Sequence, residues 1–519
     1  MLDIKIKGGE LLDGTGNPAV SADVGIFRDK IREIGDLSAV SAKTTIDAKG
    51  KCVTPGFIDA HSHSDTYLLI QLSAHSKIYQ GITTEIVGNC GASAAPLFGS
   101  AHMPSDWRDK TYPGNWHSVA EYRELLTRLT PAVNVGLLIG HNTLRTGIAG
   151  YENRPLTQDE MAEMRRRLEQ GLDEGARGLS TGLLYSPGMF APPEEIIELA
   201  KVAARKGGIY ASHMRSESKG LLDAIRETIA VGRASGIRTQ ISHLKTSGRG
   251  NWDLIERALG LIRSAKDDGV DLAADRYPYT SSCTDLDVIF PAWAEEGGNV
   301  ATLKRLKNPS DRARLREDLL KSRPDNYWET IVIASTNHPD NARFKGAKLT
   351  DAAKQLGMEP VDAILHITAT DELRTSAFFF GMSEDNMIRI LAEPYVMLGT
   401  DASLRAPTGP LSHDYPHPRA YGSFPRFLRM SLDGKSVALP EAVRKMTSLP
   451  ASRFGFADRG VIACGKKADI VVFNPATVRD TATYSAPHQL AQGIERVIVN
   501  GVLTLANGKL TGFRAGRFL

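Results

Sequence analysis

Between residues 53 and 279 the chain repeats one pattern: a short apolar or β-branched run, a polar and glycine-rich stretch, then residues with 3.6-residue helical periodicity. That alternation predicts parallel βα units. The candidate strands lie in "VTPGFIDAHSHSD" (53–65), "GITTEIVGNCG" (81–91), "NVGLLIGHNTLR" (134–145), "ARGLSTGLLYSPG" (176–188), "GIYASHMRSE" (208–217), "RTQISHLKTSG" (238–248), "VDLAADRYPY" (270–279) and, much later, "YVMLGTDAS" (395–403). Eight units predict an α/β fold, a (β/α)8 TIM-like barrel. Among the helices, 157–175 opens on a Thr cap and carries Met161, Met164, Leu168 and Leu172 on one face.

The interval between the seventh and eighth strands is about 115 residues, several times what one crossover helix needs. A lid-like segment is therefore expected at about 280–345, running from "SSCTDLDVIFPAWAEEGG" through the charged helix "DRARLREDLLKSR" (311–323) to the strand-like "TIVIAS" (330–335). Both chain ends alternate like antiparallel strands, with Asn-Gly turns at 500 and 507. Residues 1–54 and 456–519 are expected to form a small β-sandwich domain, with "KKADIVVFNP" and "IERVIVNGVL" pairing with the N-terminal strands, and 55–455 the barrel.

Composition narrows the function classes. Lys plus Arg is 63 against 60 for Asp plus Glu, a balance of +3, and there is no basic block or aromatic-basic stripe. Nucleic acid and membrane partners gain no support, and no apolar run approaches the roughly 20 residues of a membrane span; "AFFFGM" at 377–382 is far too short. The first residues, "MLDIKIKGGELLDG", read as a strand rather than an export signal. Four scattered cysteines, Cys52, Cys90, Cys283 and Cys464, make no disulfide framework and fit a reducing cytoplasm.

Polar residues and histidines gather at the strands' C-terminal ends, the catalytic face of such a barrel. In a strand, residues i and i+2 share a side, so His61 and His63 can reach one ion. With 13 histidines in the chain, chance alone supplies roughly a third of one such pair, so the motif needs company. His213 ends the fifth strand, His243 the sixth and Asp401 the eighth. Imidazoles and a carboxylate are ligands that a catalytic Zn2+ takes while keeping a position open for water.

With these residues in place, "GFIDAHSHSD" (56–65) and the strand-five, strand-six and strand-eight ends resemble the amidohydrolase superfamily over nearly the whole chain. "GNCG" (88–91), "ARGLSTGLLYSPG", "YASHMRSE", "RYPYT" and "SHDYPHPRAYGSFPR" (412–426) resemble its N-acyl-D-amino-acid deacylases, the D-aminoacylases. The resemblance implies a tightly held zinc on Cys90, His213 and His243, and a second, weaker site on His61 and His63, with the cysteine bridging and Asp401 nearby. It implies that Asp401 is the general base, taking a proton from water and passing it to the leaving amine. It further implies that Arg419 clamps the α-carboxylate of an N-acyl-D-amino acid, helped by Lys245 and Tyr277. Two departures stand out: Tyr415 replaces the first histidine of "HPHPR", and Cys283 stands where relatives often place a serine.

The residues support this independently. Cys90 follows a strand-like run and lies between glycines, where a thiolate can meet an ion. Hydantoinase-like relatives bridge two metals with a lysine ending strand four, whereas "GLSTGLLYSPG" contains none. The expected enzyme is thus a zinc-dependent amidohydrolase of linear amides. Rival readings are hydrolysis of another amide (a dipeptide, a cyclic imide or an acylated toxin), or a scaffold with a decayed site; the full ligand set argues against the scaffold.

Overall fold

A computed structural model describes residues 1–103, 107 and 110–519. Its centre is a sheet of eight parallel strands in sequential order, Phe57–Asp59, Ile82–Val87, Asn134–Gly140, Gly178–Gly182, Ile209–His213, Arg238–Ile241, Leu272–Arg276 and Val396–Leu398. Each falls within its expected segment. The strands are short and almost wholly buried, as parallel strands covered on both faces must be. Ile58, Ile86, Leu138, Ile209, Ala211, Ala273 and Met397 fill the barrel interior as one cluster. The ring closes between the first and eighth strands through a parallel bridge of Ser62 to Ala402 and an Asp401 N–H donated to the His61 carbonyl at 2.8 Å.

The helices form for local reasons visible in sequence. Gln158–Asp173 starts at Thr157, whose hydroxyl accepts from Glu160 N while the Glu160 side chain reciprocates in a capping box. Met164, Leu168 and Leu172 are buried on its inner face, with Met161 packed at the margin.

Strands from both chain ends make one nine-stranded sheet. Cys52–Pro55 joins its halves, pairing parallel with Leu2–Leu11 and antiparallel with Ile470–Phe473. Ile4, Val24, Ile31, Ile46, Ile470 and Ile498, from widely separated strands, share one core, so the sheet folds onto itself. Of the two segments, "KKADIVVFNP" pairs with an N-terminal strand, whereas Ile494–Val499 pairs with Ile470–Phe473. Asn500 and Gly501, and Asn507 and Gly508, all have positive φ, as two-residue hairpin turns of this kind demand.

Between the seventh and eighth barrel strands lies a three-stranded antiparallel sheet of Ser281–Asp285, Ile331–Ile333 and Ser376–Phe380. Helices including Pro309–Ser322 and Pro360–Thr370 pack on it around a separate core with Leu286, Trp328, Phe344 and Ile364. This sheet extends to Phe380, past the expected limit near 345. The apolar tract at 377–380 lies in its central strand, hydrogen-bonded on both sides; so short an apolar run has no periodicity that distinguishes it. Among the described residues, no helix is long and apolar enough to cross a membrane.

Candidate metal centre

The alternation of histidine and serine in residues 61–64 places successive side chains on opposite sides of the extended chain. His61 and His63 turn toward the barrel mouth and meet Asp401, with Nε2 to Oδ1 distances of 3.4 and 3.1 Å. Ser62 and Ser64 turn the other way, and both donate to Glu85 Oε2, at 2.5 and 2.6 Å.

Cys90 Sγ lies 3.3 Å from His61 Nε2 and 3.4 Å from His243 Nε2. Its backbone is left-handed, with φ +53°, and so are those of His243 and Asp401, at +35° and +49°. Non-glycine residues pay for such conformations, and three in one site mark a surrounding structure that imposes them. The glycines of "GNCG" serve packing. A Cβ on Gly88 would sit 1.9 Å from the Leu138 carbonyl oxygen, and one on Gly91 2.1 Å from Asn142 Oδ1. The loop is tied down by strand four, where Ser180 Oγ donates to Gly88 O and accepts from Gly91 N. Strand four, which contains no lysine, thus tethers the cysteine loop.

His243 is the hub of the remaining ligands. Its Nε2 lies 2.9 Å from His213 Nδ1, and its Nδ1 lies 2.8 Å from both Glu217 Oε1 and Lys245 Nζ. Lys245 is itself paired with Glu217 at 2.5 Å. Asp275, which sequence reasoning missed, lies 3.1 Å from His61 Nδ1 and accepts the His243 N–H at 2.9 Å. Its signal was a carboxylate at the end of strand seven, two residues before Tyr277. Glu217 was equally overlooked, although it follows His213 by four positions in "HMRSE".

The electrostatics favour a thiolate among imidazoles. Burial opposes ionisation of Cys90, yet the charges of His61, His243 and His213 hold its thiol well below the usual range. Burial likewise opposes charge on His61, but Asp275 and Cys90 push its pKa well up. His63 rises to about 9 despite burial, through Asp401 and Cys90, whereas burial and the neighbouring His243 charge lower His213. Asp401 is held well below a normal carboxylate, because Arg419, His243 and His63 outweigh its burial.

One ligand atom from each of His61, Cys90, His243 and Asp401 lies within 4.8 Å of every other, and the same holds for His213, Glu217 and His243. His213 Nε2 is buried with no hydrogen-bond partner among the described residues. A part-buried thiolate, imidazoles and a carboxylate converging from different strands, with an imidazole nitrogen left unpaired, fit a divalent metal of zinc's preferences.

Beside this cluster, Arg419 Nη1 lies 2.8 Å from Asp401 Oδ2, and Nη2 donates to the Cys283 carbonyl. The guanidinium packs over the Tyr277 ring at 4.6 Å, and the fully buried Tyr277 hydroxyl has no partner among the described residues. His417, in the same loop, accepts the Arg419 N–H on Nδ1 and meets Ser281 Oγ at 2.7 Å on Nε2. Ser281 also contacts Tyr484, and Thr284 contacts Tyr185. The inserted sheet is therefore fastened to the site wall by its first strand. Tyr415 is turned away, donating to the Tyr484 carbonyl.

The sequence profile of the Amidohydrolase family matches residues 44–306 and 346–505. The chain belongs to this family. Relatives locate the amidohydrolase within it. D-aminoacylase of Alcaligenes xylosoxydans xylosoxydans is 37% identical, covering 100% of this chain and 97% of that protein. The crystal structure of N-acyl-D-glutamate deacylase from Bordetella bronchiseptica, complexed with zinc and a phosphonate mimic of the tetrahedral intermediate, superposes with a TM-score of 0.84 at 34% identity, covering 100% and 99% of the two chains. A D-aminoacylase structure, described by one-metal activation and second-metal attenuation of a binuclear centre, matches at a TM-score of 0.85 and 36% identity, over 100% of both chains.

Proposed function

We propose that this amidohydrolase hydrolyses the amide of N-acyl-D-amino acids to a carboxylate and a free D-amino acid. The carrying observation is the meeting of Cys90, His61, His243 and Asp401 at the barrel mouth with Arg419 against Asp401, in a chain that aligns end to end with a D-aminoacylase. Cys90, His213 and His243 would hold one zinc tightly, and His61 and His63 a second, weaker one, with Cys90 between them. When bound, zinc supplies a Lewis acid that polarises the scissile carbonyl and acidifies water.

The protein's own groups do the rest. Asp401 takes a proton from the attacking water and returns it to the leaving amine. Arg419, 5% exposed and stacked on Tyr277, offers a planar fork of fixed orientation to the substrate α-carboxylate. The unpaired Tyr277 hydroxyl and Lys245 complete that contact, which holds the scissile bond over the ligand cluster. All four cysteines are unpaired, which suits a cytoplasmic enzyme that needs Cys90 as a thiolate.

The test is a matched panel of acetylated D- and L-amino acids, assayed on protein whose zinc has been quantified. The reading predicts turnover confined to the D series and about one zinc retained per chain. Equal rates on both enantiomers would overturn it.

A further inference from the structure

Beneath the histidine pair lies a charged group that takes no part in the chemistry. Lys77, on the short helix His75–Ile78, is fully buried. Its ammonium meets Asp59 Oδ2 at 2.9 Å and Glu85 Oε2 at 3.1 Å, from the first and second barrel strands. It also donates to Ser62 Oγ at 3.1 Å, Thr400 Oγ1 at 3.0 Å and the Ala402 carbonyl at 3.0 Å. Burying an ammonium is costly unless charge and hydrogen bonds compensate; here acceptors come from three strands of the barrel.

Those strands meet at the ring's closing seam, where backbone pairing is thin. Ala60 N donates to Leu398 O at 3.3 Å and His63 N to Ala402 O at 3.4 Å, and only the Asp401 to His61 bond is short. Side chains reinforce the seam. Asp59 Oδ1 accepts Thr400 N at 2.8 Å and His61 N at 3.3 Å, and Asp59 Oδ2 accepts Thr400 Oγ1 at 2.7 Å. Glu85, holding Ser62 and Ser64, reaches Leu404 N through the Ser64 hydroxyl. His61 and His63 leave one side of the seam, and Asp401 leaves the other.

We infer that Lys77 is a positioning residue: through Asp59, Glu85 and Thr400 it locks the His61–His63 strand against the Asp401 strand and so sets the spacing between the histidine pair and the carboxylate. Of the Cys90, His213 and His243 group, Cys90 alone follows a strand that the lock touches, strand two through Glu85, and its loop is also held by Ser180; His213 and His243 stand on strands five and six, away from the lock. The inference rests on the proposed reading for its catalytic consequence, while its effect on metal binding is independent of the substrate.

Lys77→Met tests it by titration of the apoprotein with Co2+, followed by visible absorption, and by steady-state kinetics. The expected result is unchanged affinity at the tighter position, affinity at the second lowered about 10- to 100-fold, in the range typical when groups that orient metal ligands are removed, and kcat lowered similarly with KM nearly constant. Thr400→Val removes one hydroxyl from the lock without stranding a charge, and should move the same two quantities in the same direction by a smaller factor. If folded Lys77→Met binds both ions and turns over within twofold of the wild type, the inference is wrong; should Lys77→Met not fold, the same result from Thr400→Val overturns it. A wild-type protein inert toward every N-acyl-D-amino acid would sink the proposed function alone, because the cobalt titration still decides the role of Lys77.

Discussion

Asp401 serves several neighbours at once. Its left-handed backbone turns the carboxylate toward His61 and His63 on one oxygen and Arg419 on the other, and its neighbours keep it ionised against the cost of burial. Its place beside the ligand cluster makes it the proposed base, so Asp401→Asn should retain zinc and lose kcat by about 10²- to 10⁴-fold, the usual share of general acid–base catalysis; turnover within tenfold of wild type would remove it from the mechanism. Arg419→Met acts on another quantity. It deletes a charge-assisted fork while leaving the ligands in place, so KM should rise by at least about tenfold, and a change confined to kcat would assign Arg419 to Asp401 instead of the substrate. At this scale the sequence was informative where chemistry is concentrated in unusual residues. His61, His63, Cys90, His213, His243, Asp401 and Arg419 were all nameable in advance, and the structure brings them together. Asp275 and Lys77 were not, because a lone aspartate beside an arginine and a lone lysine in "AHSKIYQG" look like any solvated pair until the fold buries them.

Elements follow the same rule. The helix Gln158–Asp173 was legible because its cap, its periodicity and its burial agree. The strand Ser376–Phe380 was not, since its identity comes from two flanking partners far away in sequence. Helix Leu439–Met446 offers a test of how an element docks. Lys445 is buried on it and donates to the Glu393 and Val396 carbonyls at the entrance to the eighth barrel strand. Burial, with some help from Arg444, lowers its pKa from 10.5 to about 8. Between those two values the unfolded chain binds more protons than the native one, so stability must rise with pH across the window, and below about pH 8 the charged lysine is a burden. Urea denaturation should show wild type gaining roughly 2 to 3 kcal/mol relative to Lys445→Met between pH 7 and pH 10.5. A pH-independent difference would mean that Lys445 stays charged in the fold.

At the scale of the molecule, the proposed ligands arise from strands one, two, five and six, with Asp401 beside them on strand eight, so a metal joins strands that are not all neighbours in the ring. Chelation should therefore lower Tm, and free zinc at 100 times its Kd should restore about 2.7 kcal/mol; a melting curve indifferent to zinc would contradict the assignment of these residues as ligands. The inserted sheet adds a second consequence of assembly: its first strand grips the site wall through Ser281, Cys283 and Thr284, which makes it part of the site's framework. The sequence by itself determined the number and order of the βα units, the capped helices, the Asn-Gly turns and the ligand types waiting at strand ends. Those are set by local periodicity, turn stereochemistry and the scarcity of cysteine and histidine. Only the tertiary structure decided which groups stand behind the ligands, how the ring is closed beneath them and where the inserted sheet ends. Each of those depends on contacts between residues far apart in the chain, some by hundreds of positions, such as Lys77 with Thr400 and Asp275 with His61, and no local pattern encodes a partner at that distance.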